Sequence, residues 1–259
     1  MATPAPLRIL EGHARVYRRT WRGSVFSAFV SPILYLLAMG VALGSVVDAS
    51  MTGGVEGLPY LVFLAPGLLA ASAMQTGAGE GSYPVMAGIK WLKTYQAALA
   101  TPVSSADIML GILGWATVRV TMVCVVFAAV MVAFGAASPG GALLSVGPAV
   151  LTGVAMAAPV MAWTARLEKE TGLANLFRFV VVPMFLFSGT FFPVSQLPDW
   201  IEWLAWITPL WHGVDLARAA ALPEVTTTFP PWVSTVFLIA LTVIGTVAAL
   251  RTFKRRLVT

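Results

Sequence analysis

Charge is what this chain has least of. Asp, Glu, Lys and Arg make up 10% of its 259 residues and hydrophobic residues 58%, whereas soluble proteins carry about 25% charged residues. That scarcity excludes an ordinary soluble domain. The net charge of +5 does not point to nucleic acid either, because such a partner needs a basic face on a soluble domain. Cysteine occurs once, as Cys124, which excludes an intrachain disulfide and a cysteine metal cluster. The two histidines, His13 and His212, are far apart. No grouping of His, Asp, Glu and Cys offers acid–base or metal chemistry, so no catalytic or metal-binding residue is expected. A G-x-x-x-x-G-K-[ST] phosphate loop is missing, and without its backbone cradle and lysine the chain has no recognisable means of holding ATP phosphates. The acids all map to loops or helix ends, and no internal repeat is visible. An ion- or proton-coupled secondary transporter, which would place a carboxylate near the membrane midplane, is therefore the alternative rather than the leading function.

What is abundant is long apolar sequence. Six stretches reach the roughly 20 residues that a bilayer crossing needs: Ser24–Val47, Leu58–Gly79, Gly114–Phe134, Ala142–Ala165, Leu173–Phe192 and Trp232–Leu250. None alternates with the period of two of a membrane barrel strand. The expected fold is an all-α polytopic membrane protein, one transmembrane domain over residues 1–259. It divides into an interfacial helix (1–23), helices one to five (24–192), an outer re-entrant segment (193–231), helix six (232–250) and a tail (251–259). The first run continues past Val41 without a cleavage site, so it is expected to stay in the membrane.

Orientation follows from Lys and Arg, which resist translocation. Thirteen of the sixteen lie in alternate segments: the N-terminal segment with Arg8, Arg15, Arg18, Arg19 and Arg22, the loops with Lys90, Lys93, Arg166 and Lys169, and the tail. The intervening loops hold only Arg218 beside Asp48, Glu56, Asp199, Glu202, Asp215 and Glu224. Both termini are expected in the cytoplasm. Arg15, Arg18, Arg19 and Arg22 recur at helical spacing opposite Leu10, Ala14, Tyr17 and Trp21, which suits a helix on the inner membrane surface. Arg119 in the third run and Arg178 in the fifth sit near its inner end, where snorkelling accounts for them. With Asn175 one turn before Arg178, they could instead bind a substrate or an anionic headgroup if they face the bundle. Glu80 and the Glu168–Lys169–Glu170 cluster read as solvated boundary charges.

The fifth run ends in SGTFFPVSQLPDWIEWLAWITPLWHG, from Ser188 to Gly213. Roughly 30 Å of helix is used up by Phe192–Pro193. Beyond it Leu197, Trp200, Ile201, Leu204 and Ile207 share one helical face, with Ser195 as a candidate cap. Pro209 should end this piece, and Leu210–Ala221 can form a second short helix with Asp215 and Arg218 at i, i+3 spacing. Trp200, Trp203, Trp206 and Trp211 suit a membrane interface.

Five segments together, PILYLLAMGVALG, FLAPGLLA, ATPVSSADIMLG, FLFSGTFFPVSQLPDW and PLWHGVDLAR, resemble permease subunits of ABC-2 type exporters. That group includes daunorubicin-resistance and nodulation lipo-oligosaccharide export permeases. The resemblance spans essentially the whole chain. It implies a bacterial inner-membrane permease that pairs with a second permease copy and with two separate ABC ATPase subunits, which would hold the ATP and magnesium. It further implies export of an amphipathic, lipid-linked or drug-like substrate. In the family the loop between helices two and three supplies a coupling helix. Lys90, Trp91, Lys93, Thr94, Thr101, Pro102, Val103 and Ser104 occupy that place here. The resemblance also makes the short helices after the fifth run an outer gate, with Gly189, Phe191, Phe192, Pro193, Pro198, Trp200, Pro209 and His212.

Overall fold

The computed structural model describes residues 4–50, 54–225 and 227–258, without the side chains of residues 24, 25, 27, 28, 199 and 200. The expected gate residue Trp200 thus lies outside the described side chains. Helices dominate the described residues: α1 (Ala5–Tyr35), α2 (Gly44–Ser50), α3 (Tyr60–Gly81), α4 (Tyr83–Met86), α5 (Thr94–Leu99), α6 (Ser105–Ala133), α7 (Pro139–Thr164), α8 (Thr171–Leu176), α9 (Val182–Phe187), α10 (Asp199–Trp206), α11 (Pro209–Ala221) and α12 (Pro231–Val258). Three wider π-helical stretches, Leu36–Leu43, Ala87–Trp91 and Phe177–Val181, join α1 to α2, extend α4, and join α8 to α9.

Among the described residues, five helical stretches are long and apolar enough to cross a membrane: Phe29–Ser50, Tyr60–Trp91, Ser105–Ala133, Pro139–Thr164 and Pro231–Val258. The fifth predicted run is shorter. Helix covers Thr171–Phe187, 17 residues or about 25 Å, because Ser188 leaves helical geometry and Gly189 follows at a φ of 77°. The N-terminal helix also differs from expectation. α1 runs unbroken through residues 23 and 24, so the segment expected to lie apart on the membrane surface continues into the first span. The short helices α10 and α11 are present, with Pro209 at the start of α11. No side chain caps α10: Ser195 falls in the 3₁₀ turn Val194–Gln196 ahead of it.

α3 is the central post. Phe63, Leu64, Leu68, Leu69 and Met74 on it are buried, and it packs against α6, α7 and α11. A helix that is apolar all round finds its place in the middle of a bundle. Close approach to α7 depends on small residues, since membrane helices lack a hydrophobic drive toward each other and gain from tight packing. A Cβ on Gly77 would run into the Gly153 carbonyl, and one on Gly153 would meet the Ala73 carbonyl at 2.7 Å. At one end of the bundle Ile9, Tyr95, Phe253 and Leu257 belong to one apolar cluster with the start of α6. The first and last described helices therefore both reach the end rich in Lys and Arg, each against the start of α6.

Candidate functional site

At this basic end the chain between α3 and α6 folds into a compact module. The Thr164 hydroxyl donates to the Gly81 carbonyl at 2.8 Å, tying the exit of α3 to α7. Lys93 adopts a left-handed conformation (φ 51°) and turns the chain into α5. That turn presses the Tyr95 ring onto Gly88, where no side chain would fit, and Gln96 Nε2 donates to the Ile89 carbonyl at 2.7 Å. The Tyr95 ring also lies 6.3 Å from that of Phe253 in α12. The exit is fixed by a capping box, in which Asp107 N donates to Ser104 Oγ (3.2 Å) and Ser104 N to Asp107 Oδ2 (2.9 Å). Such reciprocal caps satisfy free amides at a helix start.

The expected coupling residues fall into two strips on this module. Lys90, Trp91, Lys93 and Thr94 are exposed at its tip together with Leu92. Trp91 is 47% and Leu92 71% exposed. Thr101, Pro102 and Ser104 are exposed on the second strip, while Val103 packs against the apolar cluster beneath. Glu168, expected to be merely solvated, is held from two sides. Lys90 Nζ donates to its backbone carbonyl, and Arg256 Nη1 to its Oε1 at 2.5 Å. The Arg256 guanidinium holds the Glu168 carboxyl below its usual 4.5, with a smaller contribution from Lys90. One residue of the α7–α8 connection thus joins this module to the end of α12.

Arg119 is not a snorkelling side chain alone. Its Nε donates to Glu80 Oε1 at 3.1 Å, and its guanidinium lies 4.6 Å from the centre of the Tyr17 ring. α3 and α6 run side by side and bring the two charges together, which leaves Glu80 paired rather than solvated. Asn175 and Arg178 are exposed on the other part of the chain and line neither cavity around Arg119. The three do not form one site. His13 stacks at 6.1 Å on Trp115, and burial lowers its pKa.

The opposite end carries the expected gate. Gly189 O accepts from Arg218 Nη2 at 2.9 Å and Phe63 O from Arg218 Nε at 3.3 Å, with the guanidinium 3.8 Å above the Phe63 ring centre. The Tyr60 hydroxyl donates to Phe191 O at 3.1 Å, and the Phe185 and Phe191 rings meet edge to face at 5.0 Å. The Ser188 and Thr208 hydroxyls pair at 2.9 Å. Thr208 also caps α11 by accepting from Trp211 N at 3.3 Å. His212 Nδ1 lies 2.9 Å from Ser234 Oγ, linking α11 to α12. Phe192 is half-buried, Pro193 buried and Pro198 exposed. Asp215 does not pair directly with Arg218: its Oδ1 accepts from Thr228 N at 3.2 Å, and its Oδ2, like Thr190 Oγ1, has no partner among the described residues.

Four residues that organise these ends were not expected as site residues: Tyr60, Phe63, Glu168 and Arg218. Two of them left a trace in the sequence, Arg218 as the one cation among acids on its side and Glu168 in a cluster read as solvated. A family model described as ABC-2 type transporter matches residues 9–222. Nodulation protein J of Sinorhizobium fredii is 33% identical over 199 residues, 77% of this chain and 74% of that protein. Nodulation protein J of Rhizobium meliloti is 31% identical over 206 residues, covering 80% and 77%. The inner membrane transport permease YadH of Escherichia coli is 22% identical over 199 residues, covering 77% and 75%. The chain is a multi-pass membrane protein and belongs to the ABC-2 type transporter family.

Proposed function

We propose that this chain is the membrane-spanning half of an ATP-driven exporter in a bacterial inner membrane, powered by a separate ABC ATPase and moving an amphipathic, lipid-linked or drug-like molecule outward. The observation that carries this reading is the coupling module. It is held against α12 through Tyr95 and through Glu168, yet it presents Trp91 and Leu92 to the surrounding space. An exposed apolar tip on a braced support is a contact waiting for a partner, and the basic end is where a cytoplasmic ATPase would dock. Both terminal helices converge at that end, which supports an even number of crossings. Thr171–Phe187 then serves as the sixth crossing despite its length, and a second permease copy would cover the exposed Asn175 and Arg178. In this arrangement α10 and α11 re-enter from the outer side as a gate.

The test is co-purification with a co-expressed ABC ATPase from the same organism, together with its ATP turnover in lipid nanodiscs. Trp91→Ala and Leu92→Ser should each reduce recovery of the ATPase by about tenfold, the loss expected when a buried anchor of 1–2 kcal/mol is removed. Full recovery and full coupling in both variants would show that the tip is not the contact.

A further inference from the structure

α7 and α12 touch where their side chains are slight: a Cβ on Gly245 would meet Pro159 Cδ at 2.6 Å. From this contact toward the basic end, Ala162, Trp163, Ile244 and Ala248 line a cavity of about 190 Å³ that ends at Arg166. Pro159, Trp163 and Leu241 also line a second cavity, of about 490 Å³, which continues past Phe179 and Met184 to Ile201 and Leu204 of α10. The two form one apolar groove, and Arg166 is the one charged side chain lining it. Trp163 is 48% and Ile244 65% exposed, so the groove opens to the surroundings rather than into the bundle.

We propose that this groove binds one anionic phospholipid of the leaflet at the basic end, with its phosphate between Arg166 and Arg251 and one acyl chain along Trp163, Pro159 and Leu241. The helix register brings the second arginine to the site. Leu241, Ile244 and Ala248 recur at three and four residues along α12, and the same series continues to Arg251. A helical side chain leans toward the start of its helix, which carries Arg251 back over Ala248. Depth agrees. From Pro231 to Leu250 α12 holds no charged residue, a rise of about 30 Å that equals the ~30 Å hydrocarbon core. Arg251 therefore stands at the headgroup boundary, and Arg166 is likewise the first charge after α7. Leu241, ten positions before Arg251, lies about 15 Å deeper, half the core and so the reach of one leaflet. Trp163, one turn before Arg166, suits the same boundary. Charge supports an anionic head. Arg166 and Arg251 are exposed, and neither has a hydrogen bond or an ion pair among the described residues. The carboxylate of Glu168 is already taken by Arg256, and Lys169 and Glu170 beside it cancel in charge. This goes beyond the exporter reading and does not depend on it.

The experiment is native mass spectrometry of the full-length chain, purified in detergent and supplied with equal phosphatidylglycerol and phosphatidylcholine. Wild type should retain one phosphatidylglycerol with a preference of about tenfold, as two unshared cations imply. Arg166→Gln with Arg251→Gln should still take up lipid but without the preference, and Arg166→Lys with Arg251→Lys should keep it. Arg18→Gln with Arg22→Gln, which removes two exposed arginines of α1, should leave the preference unchanged. Ile244→Trp adds bulk inside the groove and should remove retention, whereas Val243→Trp, exposed on another face of α12, should not. Equal retention of the two lipids by wild type, undiminished retention in Ile244→Trp, or loss of the preference in the α1 variant would each overturn the site. A dimer that carries no phospholipid would assign the groove to a second copy and overturn it as well. Persistence of the preference in Arg166→Gln with Arg251→Gln would overturn the placement of the phosphate.

Discussion

Arg119 and Arg218 bring two guanidiniums into an apolar bundle by different means. Arg119 meets a carboxylate, and both side chains stay about one-sixth exposed. Arg218 is buried and has two backbone carbonyls and a phenylalanine face. Removing one member of a buried pair strands the other, so Glu80→Gln should lower stability by about 3 kcal/mol, and adding Arg119→Gln should recover part of that loss. Thermal unfolding in detergent across the four proteins checks it; additive losses would show that the two groups do not interact. Glu168 permits a test by pH. Its folded pKa lies below the unfolded value, so the contact with Arg256 strengthens the fold above the unfolded pKa and that contribution disappears as pH falls through the folded one. Hydrogen exchange in residues 253–257 should therefore accelerate on acidification below about pH 4, and Glu168→Gln should remove the dependence.

Among the elements, the turn after α9 carries the gate reading. Gly189 and Phe191 present carbonyls to Arg218 and Tyr60, and Ser188 pairs with Thr208 across to the start of α11. On the proposed gate reading, these contacts would latch the turn to the start of α11. In a Cys124→Ser background, Ser188→Cys with Thr208→Cys should form a disulfide, stop export, and release it again on reduction; continued export with the bond in place would make α10 and α11 a fixed anchor. How much of this could be read from the sequence depends on the kind of bond. Long apolar runs announce α3, α6, α7 and α12, and Pro209 announces the break between α10 and α11. The family segments singled out the stretch between α3 and α6, which folds as one compact module. Glu80 and Arg119 stand 39 positions apart, a separation at which charges carry no local pattern. The partners of Arg218 are carbonyls 155 and 29 positions away, and a carbonyl belongs to every residue, so nothing in the amino-acid order marks them. The end of the fifth helix was missed because Phe191 and Phe192 extend the apolar run beyond Gly189, where the backbone has already turned.

At the scale of the whole molecule, the convergence of both terminal helices on the coupling module predicts a common side for the two chain ends. In the same Cys124→Ser background, Ser50→Cys should react with an impermeant thiol reagent in intact cells and Ser104→Cys should not; the reverse pattern would invert the topology. The unbroken run from Ala5 to Ser50 then has a mechanical meaning. It is one continuous helical run of 31, 8 and 7 residues in succession, interrupted by Pro32 and the π-helical stretch, with a contour of about 69 Å, more than twice the hydrocarbon thickness. Near one tip it lies against the coupling module and near the other Asp48 Oδ1 accepts from the Tyr60 amide at 3.0 Å. A tilt of about 10° about its middle would carry each tip through about 6 Å, opposite in direction at the two membrane faces. A push delivered at the basic end would so reach the far face as a see-saw displacement, with the π-helical collar at Leu36–Leu43 as the place where the rod can yield.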